Sequence, residues 1–466
     1  MEQFINLAYL ISSVCFILGL KMLSSPKSAR RGNLIGSLGM LLAVIITMYD
    51  HRVIGLTGIA IGLGVGAVIG AVMAIRVPMT AMPEMVAILN GLGGGASTFV
   101  AASEFLHSSD TFASSPPEAQ WTIALFLSLF IGTVTFSGSI VAYGKLQGIV
   151  GDAASSIPGQ KLLMSLLMAG CLYGGYSVTT APVGSEMVLV GIAIASLILG
   201  FFLVNGIGGA DMPVVIALLN SYSGIAAAMT GFVLQNNMLI VCGSLVGASG
   251  IILTQIMCKA MNRSLTNVLF GGEMGGGAVS KDEHARFYEG RVKSCDPEAV
   301  AMLLEDAQSV VFVPGYGLAV AQAQHTTREL ANILQARGCQ VRHAIHPVAG
   351  RMPGHMNVLL AEAEVPYEQL VEMDAINPEF RNTDIAIILG ANDVVNPAAE
   401  DEPDSPIYGM PILQVHHSRT VIVVKRSLSP GFAGIPNPLF TNDNSLMCYG
   451  DAKDVLQGMI QGLKEL

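Results

Sequence analysis

The chain has 466 residues, 52% of them hydrophobic and only 12% charged, with a formal charge of −10 and a mean hydropathy of +0.57. Such composition excludes a single water-soluble domain, and the acidic balance argues against nucleic acid or an anionic lipid surface as partner. Charges are sparse up to Lys259 and frequent after Ser280, which predicts two domains of different solvent.

The leading residues Met1-Glu2-Gln3-Phe4 carry no basic segment, and no small-residue cleavage site follows, so the N-terminus reads as a first transmembrane helix and not as a signal peptide. About 20 apolar residues are needed to cross the hydrocarbon. Runs of that kind fall at 4–23, 33–49, 53–75, 83–106, 121–143, 161–179, 185–205, 213–232 and 237–258. Glycine is frequent inside them, as in Gly62-Leu-Gly-Val-Gly66 and Gly91-Leu-Gly-Gly-Gly95, and small residues let helices approach closely, which predicts a tight bundle. Lys21, Lys27, Arg30, Arg31, Arg76, Lys145, Lys161, Lys259 and Arg263 all fall on one side of these spans, and Arg52 alone on the other. By the positive-inside rule the N-terminus is expected outside and the C-terminal domain in the cytoplasm (or matrix), and an odd number of spans agrees.

Ionisable groups are nearly absent from the spans. Glu84 and Glu104 bracket the fourth, about 30 Å apart along a helix. Asp211 precedes Met212-Pro213 at the start of the eighth, where a helix N-cap is its plain role. The polar groups inside the spans are neutral: Asn90 beside the glycine cluster, and Asn220-Ser-Tyr-Ser223. They either line a wet path or make interhelical hydrogen bonds. Asparagine cannot titrate, so no mid-membrane proton carrier is evident. The domains are therefore expected at 1–261 in the membrane and 291–466 in water, joined by a flexible linker over 262–290 that contains Gly271-Gly-Glu-Met-Gly-Gly-Gly277.

After the linker, strand-like runs at 310–313, 341–345, 385–389 and 421–424 alternate with helical sequence, including 317–337. That is a Rossmann-like α/β domain with a mostly parallel sheet, whose ligands bind at the C-terminal ends of strands. The first strand runs into Gly315-Tyr-Gly-Leu-Ala-Val320, a glycine turn opening a helix, whose backbone N–H groups would cradle a pyrophosphate. The second runs into His346-Pro-Val-Ala-Gly-Arg-Met-Pro-Gly-His355, a loop that suits a phosphate through Arg351 or is simply rigid. Its two histidines lack a helix-face metal spacing. Gly390-Ala-Asn-Asp393 and Lys425-Arg-Ser427 follow the other strands, the latter two cations and a hydroxyl fit for a compact dianion. No acid stands near Gln340-Val-Arg-His343, where an NAD site places its ribose-binding carboxylate, so NADP(H) is favoured over NAD(H). No second glycine fingerprint follows a strand, so a second nucleotide would come from another chain. The seven cysteines show no CxxC and no paired spacing, which predicts buried thiols in a reducing compartment, with neither disulfides nor metal.

Seven strings together are more specific than any fingerprint: Ile207-Gly-Gly-Ala-Asp-Met-Pro-Val214, Leu219-Asn-Ser-Tyr-Ser-Gly224, Met257-Cys-Lys-Ala-Met-Asn-Arg-Ser264, Pro314-Gly-Tyr-Gly317, His346 to Asn357, Gly390 to Asp393 and Lys425 to Ser427. Over essentially its whole length the sequence resembles the β subunit of the proton-translocating NAD(P) transhydrogenases. The resemblance implies Si-Re-specific, proton-translocating transhydrogenation, in which hydride passes directly from NADH to NADP⁺ as protons enter from outside, with no catalytic side chain and no metal. NADP(H) is implied on this chain, in an orientation reversed from the usual Rossmann placement, and NAD(H) on an α subunit of one or two chains that also brings further membrane helices. A dimer of αβ units in the inner (cytoplasmic) membrane is implied as well. The cofactor-binding candidates are Gly315, Tyr316, Gly317, Ala319 and Val320; Val348, Ala349, Gly350, Arg351, Met352, Pro353 and Gly354; Gly390, Ala391, Asn392 and Asp393; Lys425, Arg426 and Ser427 for the 2′-phosphate; and Gly431, Phe432, Asp451 and Ala452. Asn90, Asp211, Asn220, Arg263 and Asp393 are the proton-path and coupling candidates, with coupling passing through the Asp211–Arg263 end of the bundle and the linker. Two positions depart from the pattern: Asn90 stands where some members have histidine, and Phe432 where tyrosine is common. A titrating membrane histidine is then expected on the α side, with Asn90 as a polar relay. The rival readings are a channel or transporter regulated by an NADP(H)-sensing cytoplasmic domain, and a membrane NADPH reductase, for which paired histidines in the spans are missing.

Overall fold

The computed structural model describes residues 2–23, 26–49, 56–112, 114, 116–151, 159–270, 281–352 and 354–466. Arg52, Pro353 and the glycine tract 271–277 lie outside the described residues. The chain divides into two compact units, one of residues 1–206 and 215–254, the other of 207–214 and 255–466.

Among the described residues, nine helices are long and apolar enough to cross a membrane: α1 (Glu2–Leu23), α2 (Pro26–Tyr49), α3 (Leu56–Arg76), α4 (Met82–Ser108), α5 (Ala119–Leu146), α6 (Gln160–Thr180), α7 (Glu186–Asn205), α8 (Met212–Val233) and α9 (Asn237–Ala260). They match the nine predicted runs. Glycine governs how closely they pack. A Cβ added to Gly94 would stand 2.6 Å from the Gly132 carbonyl, so α4 and α5 touch backbone to backbone, and Gly19 and Gly32 do the same for α1 and α2. The tight packing expected at Gly91–Gly95 is therefore present. At Gly62–Gly66 it is not seen among the described residues, because a Cβ added to Gly62, Gly64 or Gly66 would meet nothing within 4 Å, and none of the α3 span is buried.

Polar groups inside this unit bond locally or to a neighbouring helix. The Thr230 hydroxyl donates to the Ala226 carbonyl one turn back at 2.9 Å, and Ser128 reaches Thr230 at 2.8 Å. Lys145, expected as a topology-setting surface charge, is fully buried and donates to the Asn205 carbonyl at 2.8 Å. It thereby satisfies the C-terminal end of α7, where the carbonyls lack helical partners. The ends of α5 and α7 thus lie together, as their shared direction in a nine-span chain requires.

The second unit continues with α10 (Leu265–Phe270) and α11 (Lys281–Tyr288), both inside the stretch expected as linker, and then α12 (Pro297–Glu305), β1 (Ser309–Pro314), α13 (Tyr316–Val320), α14 (Gln324–Ala336), β2 (Gln340–Ile345), α15 (His355–Glu362), β3 (Leu370–Glu372), α16 (Met373–Ile376), β4 (Ile385–Leu389), α17 (Ala398–Asp401), β5 (Thr420–Lys425), β6 (Ser445–Tyr449) and α18 (Ala452–Glu465). The sheet order is β3-β2-β1-β4-β5-β6 with every pairing parallel. Its central strands are buried on both faces, which is why they read as unbroken Val/Ile runs. The helix expected over 317–337 is two helices, broken at Ala321–Ala323 with Gln322 in the left-handed region (φ 48°). The short edge strand β3 and the mixed strand β6 were not expected.

Candidate nucleotide-binding site

In this strand order the chain reverses direction across the sheet between β1 and β4, and the carboxyl ends of strands beside such a switch point form the ligand crevice. A cleft of about 550 Å³ opens there. Its floor is glycine. Gly315 and Gly317 follow β1, and Gly390 (φ 66°) follows β4, where a Cβ on Gly315 or Gly317 would collide with the Gly390–Ala391 backbone. The Gly315 N–H donates to the Leu389 carbonyl at 2.9 Å and the Gly317 N–H to the Gly390 carbonyl at 3.0 Å. These two N–H groups, expected to face a pyrophosphate, are bonded to the neighbouring loop instead. The glycines here serve the close crossing of two backbones, which leaves the space above them open.

The loop after β2 forms one wall, held by its two histidines. His346 Nε2 donates to the Pro411 carbonyl at 2.8 Å while its Nδ1 accepts from the Val348 N–H at 3.2 Å. His355 Nδ1 accepts from the Arg351 N–H at 3.1 Å. Burial pushes both imidazoles down to about 4, with the nearby Arg351 cation adding to the effect at His355. They stay neutral and fix the loop from Val348 to Arg351. Gly350 (φ 103°) is required because a Cβ would run into the His355 ring. Arg351 then lies over the Tyr316 ring, 4.5 Å from its centre, joining this wall to the turn after β1.

Charge defines the other wall. Lys425, Arg426 and Ser427 end β5, with Arg426 and Ser427 exposed. Lys425 Nζ donates to the Ser429 carbonyl at 2.9 Å and stands 5.0 Å from the centre of the Phe440 ring. Burial lowers its pKa to about 8, opposed by the Asp393 carboxylate. Asp393 is raised by burial, against the Ala433 N–H donating to its Oδ2 at 3.1 Å and the Lys425 charge. Gly431 lets the backbone close over this carboxylate, where any Cβ would strike it. Phe432 is 47% exposed at the cleft, a large apolar face open to a ligand.

The cleft brings together most of the candidates from all four strand ends, with Asp451 and Ala452 from the start of α18. Ala319 and Met352 are buried and do not line it, and Gly354 (φ 70°) instead starts α15 in the left-handed conformation. Ser429, Pro430 and Gly450 line it without having been singled out, although Pro430-Gly431 is itself a turn signal. The membrane candidates do not themselves line the cleft, although Gly209 and Pro213 beside Asp211, and Met261 beside Arg263, do. Asn90 is buried and donates to the Ile216 carbonyl at 3.2 Å, an interhelical bond between α4 and α8. Asp211 is 1% exposed and pairs with Arg263 at 3.3 Å. No side-chain cap places Asp211 at the start of α8; the ion pair is what it makes. Asn220 is half-buried in α8.

A family model described as NAD(P) transhydrogenase beta subunit matches residues 5–462. The NAD(P) transhydrogenase subunit beta of Rhodospirillum rubrum is 46% identical over 458 residues, spanning 98% of this chain and 98% of the relative. The same-named subunit from a designated strain of that species aligns with the same figures. On a match of that extent, with nine apolar helices and a parallel six-stranded domain in series, the chain belongs to the NAD(P) transhydrogenase beta subunit family.

Proposed function

We propose that this chain is the NADP(H)-binding, proton-conducting subunit of a transhydrogenase in the inner membrane, N-terminus outside and nucleotide domain in the cytoplasm. The observation that carries this reading is the pairing of a glycine-floored cleft with a cationic strand end, at a sheet whose second strand is followed by no carboxylate. Lys425, Arg426 and Ser427 suit a 2′-phosphate, as charge-assisted bonds to a compact dianion. The Arg351 loop and the glycine turns suit the pyrophosphate, with Gly431, Phe432, Asp451 and Ala452 completing the walls. NADP(H), when bound, supplies the hydride acceptor or donor. The protein's part is to orient it, exclude water and present it to NAD(H) on a partner α subunit, since direct transfer needs proximity and no acid or base. The reaction is then Si-Re-specific and dependent on α. An α3 span none of which is buried among the described residues leaves membrane surface for that partner's helices, or for a second αβ unit.

For coupling, the Asp211–Arg263 pair offers a buried charge at the head of α8, and Asp393 a carboxylate whose protonation follows its burial. Asn90 and Asn220 serve as neutral relays, the titrating membrane group lying on the α side. Family membership disfavours the ion-channel reading. Titrating the full-length chain, purified without the α subunit that carries its own NAD(H) site, with NADPH and NADH tests the proposal. Tight NADPH binding, weak NADH binding and loss of the difference in Lys425→Ala/Arg426→Ala are expected. Equal affinities, or no effect of the double variant, would place the 2′-phosphate elsewhere.

A further inference from the structure

Behind the cationic wall, and lining no part of the cleft, lies a group of buried residues anchored on α11. Tyr288, the last residue of that helix, is 5% exposed, and its hydroxyl accepts from the Asn437 N–H at 2.6 Å. Asn437 is wholly buried, and its Oδ1 accepts from the Leu439 N–H at 3.0 Å, which caps the turn Pro438–Thr441. Its Nδ2 donates to the main-chain carbonyl of Asn392 at 3.1 Å, next to Asp393. A second connection runs through the rings. Tyr288 stacks on Phe440 with centroids 6.2 Å apart and planes at 26°, and the Phe440 ring is the surface beneath Lys425 Nζ. His284, one turn earlier on α11, packs edge-on against Tyr288 at 5.1 Å. One phenol therefore reaches both sides of the cleft's charge pair: its hydroxyl holds the turn that carries Phe440 and, through Asn437, the Asn392 carbonyl; its ring supports Phe440 itself.

We propose that Tyr288 is a positioning residue for NADP(H), holding Lys425 in the place that selects a nucleotide bearing a 2′-phosphate. This rests on the reading of the cleft as the NADP(H) site. A phenylalanine would keep the stacking and fill the same space. It would also leave a buried N–H at Asn437 without its acceptor, so the turn and Phe440 would shift. A tyrosine that merely filled the core would affect every ligand of the cleft alike. One acting through Lys425 affects the 2′-phosphate alone.

The test uses the full-length chain purified without the α subunit, so that NADH reports on this cleft alone, and measures NADPH and NADH affinities in wild type, Tyr288→Phe, Lys425→Ala and the double variant. Tyr288→Phe should weaken NADPH about tenfold and leave NADH unchanged. Added to Lys425→Ala, it should have no further effect, as for two residues acting on one contact. Should Tyr288→Phe fail to fold, Phe440→Leu, which removes the ring face beneath the ammonium, carries the same expectation. If Lys425→Ala selectively weakens NADPH while Tyr288→Phe weakens both nucleotides equally, or neither, Tyr288 is a packing residue and the proposal falls with the site intact. If Lys425→Ala does not discriminate between the nucleotides, the site assignment itself fails and takes the proposal with it.

Discussion

The membrane helices and the nucleotide domain both rely on glycine to bring backbones together, yet to opposite ends. Between α4 and α5, Gly94 and Gly132 close a gap completely, each lying against the other's carbonyl. At the sheet's switch point, Gly315, Gly317 and Gly390 cross beneath a cleft that remains open. The halves differ again in how they bury polarity. In the helices it is mostly neutral hydroxyls bonded one turn back or to the next helix. In the nucleotide domain it includes ionisable side chains: four buried histidines, with Lys425 and Asp393 half-buried at the cleft. Lipid offers no partner to a stray charge, whereas a cleft that meets water can use one.

The sharpest way to break this comparison is to fill the switch point. Gly390→Val demands a left-handed valine that collides with Gly317, and should abolish NADPH binding, by more than about 100-fold. Gly62→Val, with nothing within 4 Å, should leave the amount of folded protein unchanged. Calorimetric titration and detergent size-exclusion of the two variants would read this directly, and wild-type binding by Gly390→Val would end the argument.

Acid comes next. His343, His346 and His355 are held neutral at about 4, each chiefly by burial. Their folded pKa lies below the unfolded value of about 6.5, so the unfolded chain takes up protons first as pH falls. Stability is therefore intact above about pH 6.5 and is lost progressively toward pH 4, by a few kcal/mol per histidine. His343 stacks on Phe312 at 5.3 Å with neither ring nitrogen hydrogen-bonded. His343→Phe should flatten the melting-temperature slope between pH 7 and 5, and an unchanged slope would remove His343 from the account.

A smaller effect should appear on the alkaline side. Lys425 in the free site loses its proton near pH 8, and on the proposed reading a bound 2′-phosphate would raise that value. NADPH affinity should be level below about pH 8 and fall above it, by up to about tenfold per pH unit, until the bound lysine also titrates. NADH affinity should not follow it. The smallest expected change lies in the membrane: Asn90→Ala removes the bond to the Ile216 carbonyl, at a cost of about 1 kcal/mol in bundle stability, with NADPH affinity unaltered. A large loss of proton-coupled turnover at wild-type stability would support the proposed relay role of Asn90, and unchanged coupled turnover would leave it a structural bond alone.

Much of this was legible in one dimension. Nine apolar runs needed only hydropathy, and four buried strands announced themselves as β-branched runs ending in glycine or cations. What escaped was short or non-local. β3 is three residues long at a sheet edge, and Ser445-Leu-Met-Cys-Tyr449 has no strand-like alternation. The break at Ala321–Ala323 hides in alanine and glutamine, which favour helix, because the turn is imposed by packing. That His346 and His355 hold a loop, that Lys145 closes the end of α7, and that Tyr288 stands behind Lys425 depend on partners 60, 65 and 149 residues apart for Lys145–Asn205, His346–Pro411 and Tyr288–Asn437. No local pattern carries such pairings.

The parallel sheet also dictates an order of events during synthesis. β1 lies in the middle and waits for β4, while Ser294, ahead of β1, makes its bridge to Met447 in β6. α12 packs on α18, where Pro297 and Ala301 lie against Gly458 and Gly462. The pieces made just before β1 and those made last are thus each other's neighbours. While the ribosome still holds β6 and α18, the membrane helices are free to insert but the nucleotide domain has an open flank. On the proposed reading, a newly made subunit is therefore anchored in the bilayer before its sheet is complete enough to hold a dinucleotide, and chaperones or proteases would meet it in that interval.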